Sequence, residues 1–587
     1  MIRYPKLKSS GRYRQVMDKF RGYNRNLRIG NGEFTEMENL TSDDYPVLSV
    51  RKNRGLVVSL RENGYATGML YAPDTGLLFT ANHQKDHAEG ELGALYLLDT
   101  QGQLRTVLSS LAPGIKSLAL MGKYLIIAPD MKWVELETWA SGSMEENWKV
   151  SSGTVSARLC DGEGNTYSDL TPSPEPPANP GYHQMWLCNA LGSQGLYQYE
   201  PATSQWVSVA STYVKLTGLG DHYFSDDDGI TISGFDNPGL NGSFLVHRSG
   251  HGDLVIPGIL YETVSQNCAQ KPITLCREVP TLDFLVECGN RLWGCKADTN
   301  EIYACKLGDF HNWNCFQGLS TDSWVGNVGT PGAFTGAAVQ NNYPVFYKEA
   351  CKHKVWPSAS GAHQITTVTM PGVQKGCQNS IAVLEGAVFY KAPSGVFMDD
   401  GGGAVEIGQS LGNVPYRDAS GAIHEGKYYL TMLGADNRYH LFVYDIDRRM
   451  WHREKGMSGT LASGGGSLYV VSYGDILDLS GNTGTLEEAV SWMAVTADLG
   501  LELPEQKYIT RLTLRLSLDP GATLEIYAQY DREQAWVKLG QVYGTDLRSF
   551  SLPVRPRRCD QLRLKLQGKG MCKLYSITKT LGKGSEL

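Results

Sequence analysis

GKYYLTMLGADNRYHLFVYDIDRRMWHRE, residues 426–454, is a run of strands rich in large apolar and aromatic residues, separated by tight polar turns. The same unit recurs as GALYLLDTQGQLRTVL (93–108), GKYLIIAPDMKWVEL (122–136) and NRLWGCKADTNEIYACKL (290–307). Further copies are GAVFYKAPSGVFMDD (386–400) and GSLYVVSYGDILDLSG (466–481). Each opens with Gly, or Asn-Arg, before an aromatic-rich strand, and each turns through Asp, Asn, Gly or Pro-Ser-Gly, the chemistry of short hairpins. A lone hairpin cannot bury its own faces, so repetition over the chain predicts stacked blades, an all-β propeller.

The repeat lapses twice. Between about 151 and 262 it gives way to the Pro-rich passage TPSPEPPANPGY (171–182) and a compact strand series, read as a β-domain inserted in the propeller. From 487 to 587 the alternation sharpens in TRLTLRLSL, ATLEIYAQYD and LRLKLQG, which predicts a C-terminal β-sandwich of jelly-roll type. Within it Arg511 and Arg515 share one face, with Leu512, Leu514 and Leu516 on the other. The propeller then occupies 46–150 and 263–486. Residues 1–45 carry nine Lys or Arg between Arg3 and Arg28 against one acid, Asp18. They read as an extended basic arm whose charge suits docking on an acidic protein neighbour first and nucleic acid second. Helical periodicity is confined to Gly11–Phe20 and to TLEEAVSWM around Glu487.

The composition suits many short strands: 587 residues, 66 Gly, 31 Tyr and a formal charge of −7 that marks no nucleic-acid binder. The chain opens without an apolar leader and has no run of 18 apolar residues, so synthesis in a cytosol is expected. The twelve cysteines include six between Cys268 and Cys315 at spacings of 8, 12, 7, 10 and 10, with no Cys-x-x-Cys pair. Buried reduced thiols, free of metal, are the expectation.

Several motifs have a chemical reading beside a structural one. SDDDGITI (225–232) fits the Asp-box of sialidase-type propellers, itself a hairpin turn in which a carboxylate holds backbone amides. GAIHEGK (421–427) matches Gly-x-x-x-x-Gly-Lys, but Tyr428 stands where a P-loop needs Ser or Thr and a strand follows, so it reads as a blade turn. HQKDH (83–87) and HRSGH (247–251) place histidines four apart in turn-like sequence, where solvated loop residues are the default. Asp399 with Asp400, and Asp226 to Asp228, read as turn carboxylates. No catalytic, cofactor-binding or metal-ligating residue is assigned, and no enzyme activity is expected.

Two passages, RGYNRNLRIGNGEFTEMENLTSDDYPVLSVRKNRG (21–55) and LGDFHNWNCFQGLSTDSWVGNVGTPGAFTGAAVQNNYPVFYKEACKHKVW (307–356), resemble virion proteins of tailed bacteriophages. In the first the resemblance lies in Asn39-Leu40-Thr41, Asp43-Asp44-Tyr45-Pro46 and the Arg51/Arg54 pair. LPVRPRRCDQLRLKLQGKG (552–570) is similar to the final β-domain of such chains, and the YDIDRRMWHRE ending (444–454) is similar to that of a kelch blade, with Trp451 packed between blades. The nearest class is the tail nozzle, or hub, of short-tailed phages. That resemblance implies a homo-oligomeric ring in the virion tail, adjoining the portal-adaptor and other tail or fibre proteins, with genomic DNA passing and no membrane insertion. Two other readings stand beside it. One is a receptor- or carbohydrate-binding propeller at the virion periphery, with Trp186, Tyr197, Tyr199 and Trp206 as the sugar face. The other is a sialidase-like glycoside hydrolase.

Overall fold

The computed structural model describes residues 12–583 apart from 61–63, 85–90, 146, 169, 484–485, 502–505, 553 and 555–556. Four-stranded antiparallel meanders recur among them and are numbered in chain order: 64–111, 117–143, 284–327, 334–369, 382–406, 417–454 and 460–478, the last completed by Gly55–Ser59; 417–454 is the edge of a 15-stranded sheet that continues through Gly22–Tyr23, whereas the others are separate sheets. They are blades of β-propeller type, up-and-down meanders. The expected hairpins lie within these meanders: 122–136, 290–307, 386–400 and 466–481 as central strand pairs, 93–108 as the last two strands of its sheet. GAIHEGK is a blade turn, with His424 opposite Lys427 and positive φ at Glu425 (+47°) and Gly426 (+72°), the two-residue geometry whose twist matches the strands it joins.

The chain divides into two compact units, one of Met1–Leu118, Gly332–Lys354 and Thr367–Leu587, the other of Ala119–Pro331 and Val355–Thr366. In the first unit the seventh blade borrows its outer strand from the N-terminal region, Ile476 lying opposite Val58 and Asp478 opposite Gly55. Blade packing is aromatic and aliphatic: Tyr347, Val388, Tyr390 and Phe397 form one buried cluster, Leu77, Phe79, Val471 and Ile476 another. Trp451 is buried and its indole donates to the Ile407 carbonyl just past the preceding blade (2.7 Å). Asp399 is fully buried and anchors the fifth blade to the fourth, accepting from Lys352 Nζ (2.5 Å) and Tyr347 Oη (3.4 Å). Asp400, by contrast, only caps its own turn through Gly402 N (2.9 Å).

The C-terminal sandwich is organised by one long strand, Lys507–Tyr530, bent at Asp519-Pro520-Gly521. Gly521 has φ +83°, which favours glycine. Before the bend the strand pairs with Cys572–Lys583, after it with Leu562–Lys569, and Val537–Leu552 follows it along both halves. Leu512, Leu514 and Leu516 are buried and Arg511 and Arg515 exposed, as the alternation requires.

Residues 12–45, the described part of the segment read from its charge as an arm, are built with 46–50 into this chain's own sheet. Arg12–Met17 pairs with Cys572–Lys583, Glu33–Glu38 with Ser491–Thr496, and Leu48 lies opposite Leu574. The charge count hid an apolar set, Met17, Phe20, Tyr23, Phe34, Met37 and Leu40, that is buried in the shared core. Residues 1–11 lie outside the described residues. Neither passage expected to be helical is helical where described: Arg12–Met17 is a strand, and in TLEEAVSWM residues 486–490 are bends and irregular backbone leading into the strand Ser491–Thr496. Strand partners on the sandwich supply the hydrogen bonds that a local helix would have made. The inserted domain is wider than the lapse in the repeat, from Asn147 to Arg277, because Val264–Asn267 and Ile273–Arg277 pair with its first strands.

The Asn39-Leu40-Thr41…Arg54 stretch ties the sandwich to the sixth blade. Arg51 donates to both Glu487 oxygens (2.8 and 2.9 Å), while Arg54 and Arg51 flank Glu454 at 3.0 and 3.4 Å. Asn39, at φ +60°, accepts from Arg51 Nε (2.9 Å) and donates to the Ser491 carbonyl (2.8 Å). Ser42 bonds Asp445 (2.5 Å), Asp43 pairs with Lys427, and Asp44 pairs with Lys573 (2.8 Å). Glu454→Ala leaves Arg51 paired with Glu487 but strands the buried Arg54 guanidinium with, among the described residues, only the Lys455 carbonyl. A loss of about 3–5 kcal/mol in the urea unfolding of this unit is expected. Burial would raise the Glu487 carboxyl, but its bonds to Arg51 hold it below its ordinary value. Its contribution is therefore complete above the usual carboxylate range and drains away as pH falls through the lower folded value. Melting curves against pH should show that acid limb, flattened in Glu487→Gln.

Candidate functional site

In the second unit the inserted domain and the third blade meet around the Asp-box hairpin. Each of its three aspartates has a separate partner. Asp228 is buried and takes two donors from Arg277 (2.9 and 3.1 Å) and the Ser225 amide (2.9 Å). Asp227, in the left-handed region at φ +67°, pairs with Lys306 (3.2 Å), accepts from Gln317, and offers its carbonyl to Asn312 Nδ2 (2.6 Å). Asp226 accepts from the Ser249 amide (2.6 Å). The box thus fastens the insert to a loop of the third blade, 305–323.

That loop is itself held rigid. Arg291 donates to the carbonyls of Cys305 (2.8 Å), Ser320 (2.7 Å) and Asp322 (2.5 Å), and Asp322 accepts from the amides of Gly318 and Leu319. Gly229 allows the approach: a Cβ there would stand 2.5 Å from Asn314 Cβ and 2.6 Å from the Asn314 carbonyl.

Beside this junction opens a cleft of about 550 Å³. One wall is polar. Glu278 accepts from Thr231 and from Ser243 (2.5 Å) on one oxygen and from Asn314 Nδ2 (2.5 Å) on the other. The apolar part of the lining is Val279, Pro280, Tyr303, Trp313, Phe316 and Val325, and Glu145 and Cys276 also line the cleft. Burial and the neighbouring Glu301 push the Tyr303 phenol up to about 12, so it stays a neutral hydroxyl, bonded to Glu301. Trp313 is buried and its indole donates to Phe310 O (2.8 Å), whereas Phe316 is 57% exposed.

The four aromatics singled out in the insert do come together. They share one face of the three-stranded sheet Met185–Cys188, Gly195–Glu200 and Gln205–Ser208. Ring centroids lie 5.1 Å apart for Trp186–Tyr197, 5.6 Å for Trp186–Trp206 and 5.4 Å for Tyr199–Trp206. Leu187 and Leu196, on the opposite face, are buried against Leu159. Trp186 is pinned by its indole to Ser173 Oγ (3.0 Å) in the Pro-rich passage. The two histidines of HRSGH have different partners: His247 stacks on Tyr213 at 4.1 Å and His251 pairs with Asp221 at 3.0 Å. His87 of HQKDH lies outside the described residues. All twelve cysteines are unpaired, and burial pushes the Cys305 and Cys572 thiols up to about 12. Among the described residues no group of three or more His, Cys, Asp or Glu could hold a metal ion, and no helix is long and apolar enough to cross a membrane.

Sequence reading found the box and the aromatic quartet but not Glu278, Asn314 or Phe316. The one available signal was Gly229, directly after Asp228, which marks close backbone approach.

No family model and no curated protein matches the chain. Among solved structures it is similar to an acylaminoacyl peptidase of Pyrococcus horikoshii (7% identity, TM-score 0.29, 73% of this chain and 58% of that one). It is similar also to BamB of Moraxella catarrhalis (10%, 0.28, 72% and 94%) and to the endosialidase of phage phi92 (9%, 0.20, 76% and 56%). The chain thus spans just over half the length of the peptidase and of the endosialidase. Likeness at this level transfers no activity.

The box geometry gives an ordered set of stabilities. Asp228→Ala strands the buried Arg277 and should cost about 3–5 kcal/mol in urea unfolding of this unit. Asp227→Ala removes hydrogen bonds at a more open position and should cost about 1 kcal/mol. Equal losses would contradict the assignment of Asp228 as the anchor.

Proposed function

We propose that this chain is a structural component of a tailed-phage virion, a nozzle or hub subunit of the tail that works without catalytic turnover. One observation carries the reading. The residues in which the N-terminal resemblance lies, Asn39, Asp43, Asp44, Arg51 and Arg54, are the ones that clamp the sandwich to the sixth blade. Their service is mechanical: each is committed to a partner within the fold.

The other charged groups that invited a catalytic reading are committed in the same way. Asp227 holds the insert to the third blade, Asp228 anchors the box hairpin within the insert, and Asp399 holds two blades together. A subunit stiffened by buried ion pairs and by strands drawn from both chain ends suits a part that transmits load. Rings form when a heterologous contact completes a rotation, so such a subunit builds a collar by repeating one contact. A formal charge of −7 suits a conduit that duplex DNA must traverse without sticking.

The test is immunogold labelling of virions from the producing host, with antibody raised against the purified chain. Label at the tail vertex, together with particles that lack tails when the gene is silenced, is the expected result. Label confined to the capsid shell or to long fibres, or intact infectious particles without the chain, would overturn the proposal. A parallel assay follows reducing-end release from host polysaccharide and sialylated glycans. Turnover that disappears in Asp227→Ala/Asp228→Ala would defeat the non-catalytic reading.

A further inference from the structure

We propose that the cleft between the Asp-box hairpin and the 305–323 loop binds one pyranose residue of a neutral glycan. This inference stands apart from the virion reading, since it rests on the cleft alone. Its volume, about 550 Å³, falls in the range of small-ligand sites, roughly 300–1,000 Å³.

The chemistry of the lining selects the ligand. The Glu278 carboxylate is fixed in place by donors from three places in the fold, Thr231, Ser243 and Asn314, so its orientation is set before anything binds. Two donors fall on Oε1 and one on Oε2, which leaves Oε2 able to accept again. The Asn314 amide spends one N–H on Glu278, and among the described residues its oxygen and second N–H have no partner. Carboxylate oxygen, amide oxygen and amide N–H side by side form an acceptor–acceptor–donor array, which suits vicinal hydroxyls. The lining also presents Phe316, an aromatic 57% exposed, together with Tyr303 and Val325. A pyranose has the same two-sided character: an apolar C–H face to lie on a ring and a rim of hydroxyls to bond the polar wall.

Other ligand classes fit less well. Among the described residues the one cation in the lining, Arg277, is committed to Asp228, so an anion would face Glu145 and Glu278 without a counter-charge. Glu278 keeps its charge, because its three donors are neutral, so an ammonium ligand is the competing class; it would leave the second N–H of Asn314 facing a cation, where a hydroxyl would accept from it. The loop that supplies Asn314 and Phe316 is fastened by Arg291 and Asp322, and Gly229 sets its distance from the box. The site is therefore pre-organised, which lowers the ordering cost of binding.

The experiment is saturation-transfer NMR on the full chain with a panel of methyl pyranosides of gluco, galacto, manno, rhamno and N-acetylglucosamine configuration. Transfer to the ring C–H protons of at least one sugar is expected. Phe316→Ala removes the stacking face and Val325→Trp fills the cleft. Both positions are exposed, so the melting temperature should hold while affinity falls about tenfold or more. Trp206→Ala, on the separate aromatic sheet, should leave binding unchanged. The proposal is overturned by silence across the panel, by transfer that survives both variants, or by transfer lost in Trp206→Ala instead. Displacement of bound sugar by tetramethylammonium at lower concentration would also overturn it, making the cleft a cation site.

Discussion

The Glu454 carboxylate, sunk between the guanidinium groups of Arg54 and Arg51, is the point on which the first unit depends. Two cations and two carboxylates, Glu454 and Glu487, are removed from water together, a costly step unless every charge finds a counterpart. Here each does, and the counterparts come from three places: the N-terminal segment, the last strand of the sixth blade and the lead-in to the sandwich. The network therefore forms only when those three parts are in register. Its value lies less in net stability than in specificity, because any other arrangement leaves a buried charge alone.

The same device recurs. Asp399 with Lys352 fixes one blade against the next, and Asp228 with Arg277 fixes the box hairpin within the inserted domain. In each case an apolar contact supplies most of the burial, while one ion pair sets the register. Around the box this has a chemical consequence. The groups that stiffen the junction also hold Glu278 and Asn314 at fixed positions beside an open cleft. A structural turn and a binding surface can then share the same residues.

Hairpin chemistry was legible because it is local. Glu425-Gly426 is a two-residue turn whatever surrounds it, and the alternation of Leu512, Leu514 and Leu516 with Arg511 and Arg515 needs only one buried face. The N-terminal segment was misread for the opposite reason. Its nine basic residues dominate any count, whereas Met17, Phe20, Tyr23, Phe34 and Met37 are too widely spaced to announce a core by themselves. They become one only when the C-terminal strands arrive, more than 450 residues later. TLEEAVSWM was misread likewise, since local propensity yields where a neighbouring strand offers a full set of hydrogen bonds.

What the sequence by itself determined was the unit of construction: aromatic strands, tight polar turns, a break for an inserted domain and a sharper alternation at the end. It also singled out the Asp-box and the aromatic quartet, because those rest on residue types at short spacing. Tertiary structure alone decided which charges meet. Arg54 and Glu454 are 400 residues apart, Asp228 and Arg277 are 49 apart, and Thr231 and Asn314 reach Glu278 from opposite directions along the chain. Pairing at such separations follows from how sheets stack and which loop a glycine lets approach. Those are properties of the packed chain that no window of sequence contains.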